Sequence, residues 1–373
     1  MRIALVSEFY YPHLGGMTEH VHNLALHFRR WGHHAVIISS RVSGDHEERD
    51  GVRYVGRSRL VYANGSFARF STGARVAANI ADVLRQERID IVHVHGGLSP
   101  TLPLMAPRVA RRLGIPAIGT FHSWFPRSMG YRIFKRPLQR EFSRLSARIA
   151  VSEPVVWAFS RYFRGPWEII PNGVDVDYFH PNGRRPMERT RSPRLLFLGR
   201  LDPRNGLDTM LAAMPMVLER HPRAELVVVG DGPLRPLYEG RAQALGRAVR
   251  LVGSVLQERT SYYAGSDIYV CPTERASFGI TLLEAMACGT PMIVSDIIGF
   301  RELVDGGDEA QLVPPNDAVA WAGAISDLLD DPERRRRMGA AGRAKSAIFS
   351  WERVAEQVFD LYERVLGRQK VAA

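Results

Sequence analysis

The chain has 373 residues, 45% hydrophobic and 24% charged, which predicts two globular domains with a large buried core and excludes a disordered or fibrous protein. Its net charge of +11 sits wholly in the first half: through Gly165 there are 24 basic and 11 acidic residues, against 26 and 28 in the remainder. A half so charged suits an anionic membrane, an acidic substrate or nucleic acid.

The first predicted strand is Arg2–Ser7 (RIALVS), followed by a Gly15-Gly16 turn and a helical pattern from Thr18 to Trp31. Ala35–Ser39, Ile89–His95, Pro116–Phe121 and Ile149–Ser152 read as further strands. A stretch from Arg164, rich in Pro, Gly and charge, reads as the entry to a second domain, dividing the chain into 1–167 and 168–350. There the alternation restarts with Arg194–Leu198, Glu225–Val229, Val249–Val252, Ile268–Cys271 and Pro291–Ser295. Helical runs such as Asp208–Arg220 lie between them, and a helix from Trp351 to Leu366 closes the pattern. Strands separated by helices imply βαβ units and parallel sheets covered on both faces. In such a pair of domains ligands bind at the carboxyl ends of strands, so a cleft between them is the expected site.

Two cysteines, Cys271 and Cys288, build no disulfide framework and fit a reducing compartment. The opening apolar run stops at Ser7-Glu8 and reads as a strand, not a signal peptide, and no stretch approaches the roughly 20 apolar residues of a membrane span. The expected location is cytoplasmic, either free or peripheral on the inner face of the membrane.

Three glycine turns follow predicted strands: Gly15-Gly16, Gly199–Gly206 and Gly230-Asp231-Gly232. Such turns leave backbone N–H groups open to a phosphate, with no Cβ in the way. None is a Walker loop or a full dinucleotide fingerprint, and each alone reads equally as a plain turn. Arg200, directly after a strand, carries a guanidinium suited to forking onto a diphosphate oxygen, or to a surface ion pair. In Thr273–Pro291 (TERASFGITLLEAMACGTP), Ser277-Phe278-Gly279 opens a helix, and Glu284 falls one to two turns inside it among apolar neighbours. A glutamate buried there needs a polar partner such as a pair of ribose hydroxyls.

Taken in order, PHLGGMTEHV, IVHVHGGLSP, GTFHS, RIAVSEP, IIPNGVD, FLGRLDPRNG, VVVGDGP and SFGITLLEAMACGTP span nearly the whole chain. As a set they resemble the family-4 retaining glycosyltransferases, and within that family the phosphatidylinositol mannosyltransferases of actinobacteria. The resemblance implies the α/β GT-B fold: two Rossmann-like parallel-sheet domains facing across a cleft, with helix 351–373 returning to the N-terminal domain. It implies a hexose moved from a nucleotide-diphosphate sugar to a hydroxyl, with no cofactor and no metal. By the same resemblance Gly16 and Arg200 hold the donor diphosphate. Gly230, Ser277, Phe278, Gly279 and Ile280 join them, Glu284 holds the ribose, Val255 touches the base and His122 lies against the transferred sugar. Phe9, Tyr62, Asn64, Ser66 and Arg69 fall on the acceptor side.

Three positions depart from the family pattern. Asn205 stands where the family carries a diphosphate-binding lysine, so either Arg204 substitutes or leaving-group stabilisation is weaker. Ala276 replaces the first glutamate of the Glu-x7-Glu pair, leaving sugar identity open. Gln257 replaces the acidic guanine reader, so GDP and UDP both remain open as donor nucleotides. Asp175-Val176-Asp177 matches a metal-binding Asp-x-Asp by letter but lies in a turn that capping explains better.

For the acceptor, Arg127–Arg148 carries seven basic residues against Glu141, interleaved with Tyr131, Ile133, Phe134, Leu138, Phe142 and Leu145. That is the pattern of an amphipathic membrane-surface segment and, equally, of a solvated helix with a core stripe. A lipid acceptor such as phosphatidylinositol is therefore expected, with a small soluble acceptor as the alternative. Gly73–Arg88 is less basic than the corresponding mannosyltransferase helix, which weighs against the lipid. A non-catalytic sugar-nucleotide binder and a nucleic-acid-binding protein are the remaining readings; the glycine turns and Glu284 argue against the last, and no nucleic-acid partner is expected.

Overall fold

The computed structural model describes every residue except 14, 43–46, 64–65, 73–74, 99–100, 183–191, 256–257, 305–306 and 373, and describes 42, 59–63, 66–70, 72 and 369–372 by backbone alone. The chain forms two compact units, Met1–Asn172 with Trp351–Ala373, and Gly173–Ser350.

The first unit runs β1 (Arg2–Ser7), α1 (Gly16–Arg30), β2 (His34–Val42), β3 (Val52–Ala63), β4 (Ser66–Thr72), α2 (Val76–Gln86), β5 (Ile91–His95), α3 (Leu102–Arg112) and β6 (Ala117–Phe121). It continues through α4 (Met129–Ile133), α5 (Lys135–Ser143), β7 (Ala147–Ala150), α6 (Glu153–Ser160) and β8 (Glu168–Ile169). The strands form one sheet in the order β4-β3-β2-β1-β5-β6-β7-β8, parallel except for the antiparallel β3/β4 edge. Central strands β1, β5 and β6 are buried along almost their whole length, both faces being covered. β3 is not visible as an apolar run: arginines interrupt it, and a bulge between its pairings Ser39–Tyr54 and Ser40–Gly56 breaks the two-residue period. Residues 168–172 stay with this unit because β8 pairs with β7.

The second unit comprises β9 (Arg194–Leu198), α7 (Leu207–Arg220), β10 (Glu225–Val229), α8 (Arg235–Gln243), β11 (Val249–Gly253), α9 (Arg259–Ala264) and β12 (Ile268–Cys271), then α10 (Ile280–Ala287), β13 (Met292–Ser295), β14 (Gln311–Val313), α11 (Ala318–Asp330) and α12 (Pro332–Ser346). Its sheet is wholly parallel in the order β11-β10-β9-β12-β13-β14. Leu195, Phe197, Leu226, Val228, Ile268 and Val270 pack from the sheet against Met210, Met214, Trp321 and Ile325 of α7 and α11.

The last helix, α13 (Trp351–Ala372), returns to the first unit and runs beyond the expected Leu366. Phe28 of α1 lies 5.5 Å from Tyr362 and 6.0 Å from Phe359, and the Tyr362 hydroxyl bonds His93 Nδ1 of β5 at 2.6 Å. No helix among the described residues is long and apolar enough to cross a membrane.

Candidate active site

In the second unit three loops meet at the carboxyl ends of β9, β10 and β12. The loop after β9 is tied to the loop after β10 by Leu201 N–H donating to Asp231 O at 3.0 Å, and to the loop after β12 by Glu274 N–H donating to Arg204 O at 2.8 Å. Gly230 makes the first junction possible: its φ is +145°, and a Cβ there would lie 1.8 Å from Gly199 O.

Arg200 and Arg204 project from this junction. Their guanidiniums lie 3.3 and 3.5 Å from one carboxylate oxygen of Asp202, so the two cations are gathered by a single anion. Burial, then the neighbouring charge of Arg200, pushes the Arg204 guanidinium below its usual range, with Asp202 acting in the opposite sense. Asn205 uses its amide to donate to Arg200 O at 2.8 Å.

The loop after β12 leads into α10 through Gly279, which has φ +103° and caps the helix without any side-chain acceptor. The helix thereby presents its positive end with no side-chain cap from its N-cap residue. Phe278 is buried 6.2 Å from Phe349, fixing the turn, whereas Ser277 and Ile280 are half-buried. Val255 is also half-buried, beyond the end of β11.

Glu284 is buried within α10, as its neighbours predict, but its burial does not require a ligand. Arg259 donates to Oε1 at 2.7 Å and the Tyr263 hydroxyl to Oε2 at 2.9 Å. Burial and the Glu284 charge hold the Tyr263 phenol well above its usual pKa, so it remains a donor. The ribose argument from burial alone is thus answered by protein partners. Arg259 and Tyr263 were not singled out in the sequence because they lie 25 and 21 residues away on α9.

In the first unit the corresponding strand ends carry a different set. Gly16 begins α1, whose N-cap Gly15 has no side-chain acceptor either. Phe9 follows β1, its ring 5.0 Å from His13. His122 follows β6 and is half-buried, with Nε2 3.4 Å from His95 Nδ1 at the end of β5. His20 of α1 stands beside both rings, and its Nδ1 donates to Asn172 Oδ1 at 2.9 Å. Burial depresses all of these imidazoles: His20 to about 4, and His93, His95 and His122 well below the usual histidine range, neighbouring histidines adding to the effect for the last three. His20, His95 and Asn172 are present in the motifs EHV, HVH and IPNG, yet only the fold brings them together.

Asn64 and Gln257 lie outside the described residues, as do the side chains of Tyr62, Ser66 and Arg69, whose backbones belong to β3 and β4. The Arg127–Arg148 segment divides in two. Phe142 and Leu145 are core, Tyr131 sits in a ring cluster with Phe125, Phe159 and Phe163, and Arg148 is buried with its guanidinium bonded to the Phe142 and Leu145 carbonyls at 2.9 Å. The single amphipathic stripe is therefore corrected: its exposed apolar part is Met129 (65% exposed), Ile133 (66%) and Phe134 (58%), flanked by exposed Arg127, Arg132, Lys135, Arg136 and Arg140.

Comparison with known proteins places these features in a family. Residues 14–178 match the pattern described as Glycosyltransferase Family 4, and residues 192–331 that of Glycosyl transferases group 1. A phosphatidyl-myo-inositol mannosyltransferase of Mycobacterium tuberculosis is 32% identical, over 98% of each chain. Among solved structures, sucrose-phosphate synthase of Thermosynechococcus elongatus superposes with a TM-score of 0.76 at 22% identity, covering 99% of this chain and 100% of that one. Anabaena HepE, solved in complex with UDP, gives 0.78 at 17%, covering 98% and 100%. Both likenesses concern the fold. The chain belongs to the family-4 glycosyltransferases of the GT-B fold, and is a glycosyltransferase.

Proposed function

We propose that the protein transfers a hexose from GDP-mannose or a UDP-sugar to a hydroxyl of a membrane lipid such as phosphatidylinositol, with retained configuration and without a metal ion. The observation that carries this reading is the junction of Arg200, Arg204 and the α10 N-terminus on loops bonded to one another. Breaking the anomeric C–O bond places negative charge on the departing diphosphate. Cations and N–H dipoles held in fixed positions stabilise that charge without reorganising. The leaving phosphate accepts the proton of the attacking hydroxyl as the new glycosidic bond forms on the same face of the sugar. Val255 and Gln257 take the base, Glu284 the ribose, and His122 the sugar.

The lipid acceptor is supported by Met129, Ile133 and Phe134, apolar side chains exposed beside five cations. Apolar insertion combined with attraction to anionic headgroups is how a peripheral protein holds a membrane surface. The name of the mannosyltransferase relative supports the same acceptor class. Nucleotide release measured across a panel of GDP- and UDP-sugars tests the donor half. Release from one donor identifies sugar and base, and release from none rejects catalysis by this chain.

A further inference from the structure

Three elements of the first unit bring His20, His95 and His122 together, with one ligating atom from each all within 4.8 Å of one another. Their ring centroids are separated by 5.3, 4.9 and 5.7 Å. His20 is 1% exposed and His95 0%, and Nε2 of each is buried without a hydrogen-bond partner. The bond from His20 Nδ1 to Asn172 fixes the tautomer, so His20 Nε2 presents a bare lone pair. Between His95 Nδ1 and His122 Nε2 the separation of 3.4 Å is long for a hydrogen bond. Buried polar atoms without partners are uncommon in folded proteins, and His20 and His95 of this cluster carry one each.

We propose that His20, His95 and His122 form a binding site for a divalent transition metal, and that Zn2+ is the ion it takes. The donor set is three neutral imidazoles with no carboxylate, which suits zinc and disfavours magnesium or calcium, whose shells are built of oxygen. Tetrahedral zinc with Zn–N of about 2.0–2.1 Å holds its ligands about 3.4 Å apart, so the rings need close by little more than about 1 Å. Asn172 orients His20 as an outer-shell partner orients a metal-bound histidine. His93 is excluded from the set, because Tyr362 and Thr120 occupy both its nitrogens at 2.6 Å.

The consequence for activity rests on the reading of His122 as a sugar contact: zinc bound to its ring takes that nitrogen from the substrate, so the site is inhibitory. The 373-residue chain, stripped with a chelator, is titrated with ZnCl2 against a chromophoric competitor, and Co2+ is used as a spectroscopic probe. One equivalent of zinc per chain is expected, together with the strong visible absorption of four-coordinate Co2+. His95→Ala should weaken binding more than about 100-fold and Asn172→Ala about 10- to 100-fold, the usual cost of an outer-shell loss. Should His95→Ala fail to fold by circular dichroism, the wild-type Co2+ spectrum decides. A weak six-coordinate spectrum, no bound equivalent, or binding unchanged in a folded His95→Ala protein overturns the site. Nucleotide release abolished by one equivalent of zinc supports the inhibitory role. Zinc bound to the triad with release unchanged leaves the metal site standing and removes His122 from the sugar.

Discussion

The side-chain amide of Asn205 donates to the backbone carbonyl of Arg200 at 2.8 Å, so a neutral residue holds the loop that carries the adjacent cation. Arg200→Ala should lower turnover on the order of a hundredfold or more if the guanidinium stabilises the leaving group. Asn205→Ala leaves every charge in place and only loosens the loop, so a loss of about tenfold is expected. Steady-state kinetics with the preferred donor separates the two: equal effects would mean that Arg200 acts only through loop structure.

Glu284→Ala leaves Arg259 without its buried anion and Tyr263 without its acceptor. Breaking a buried pair on one side costs about 3–5 kcal/mol, so a fall in Tm of roughly 10 °C is expected by calorimetry. Glu284→Gln, which retains an acceptor for Tyr263, should lose less. A near-wild-type Tm for Glu284→Ala would mean that the pair contributes little to folding.

Glu87 binds β2 and β3 together: His34 Nε2 lies 2.8 Å and Arg53 Nε 2.9 Å from its carboxylate. Burial raises its pKa, but the hydrogen bonds from His34 and Arg53 and their charges outweigh that, leaving a net depression. The unfolded chain then binds more protons than the native one, so this contribution is present above the ordinary glutamate pKa and lost as pH falls through the depressed value. Glu87→Gln should therefore be less stable than wild type at neutral pH. Urea titrations should show the difference shrinking in acid, and a difference independent of pH would contradict the assignment.

Binding of the α4–α5 surface to vesicles should need anionic lipid and weaken with salt. Neutralising Arg132 and Arg136 together should cost about 1 kcal/mol each, roughly 30-fold in partition coefficient. Phe134→Ser should weaken binding to a similar vesicle series without altering its salt dependence. Sedimentation that is unaffected by salt and by these substitutions would exclude the surface as a membrane face.

Gly230→Ala introduces a Cβ 1.8 Å from Gly199 O at a φ of +145°. Strain of about 1–3 kcal/mol is expected there, with a higher KM for donor because the β9 and β10 loops must separate. Unchanged KM and stability would show that the junction is not needed.

Apolar strands bounded by glycine made the two sheets legible in the sequence, since strands covered on both faces read as continuous runs. β3 escaped because its arginines and its bulge hide the period, and β14 because Gln311–Val313 is too short to register. The glycine turns and the position of Arg200 after β9 were legible because strand–turn–helix junctions have a local signature. Partners contributed by distant elements were not: Arg259 for Glu284, Asn172 for His20 and Tyr362 for His93 are set by tertiary packing, and no spacing rule links them.

Because α13 packs on the unit that contains β1, the core of residues 1–172 waits on residues 351–372, which are translated after the second unit. Until Tyr362 emerges from the ribosome, His93 lacks its hydroxyl and Phe28 lies uncovered, whereas residues 173–350 already have their whole core. Nascent chains should accordingly acquire protease resistance in the second unit before the first, and a fragment cut after Asn172 should be prone to aggregation.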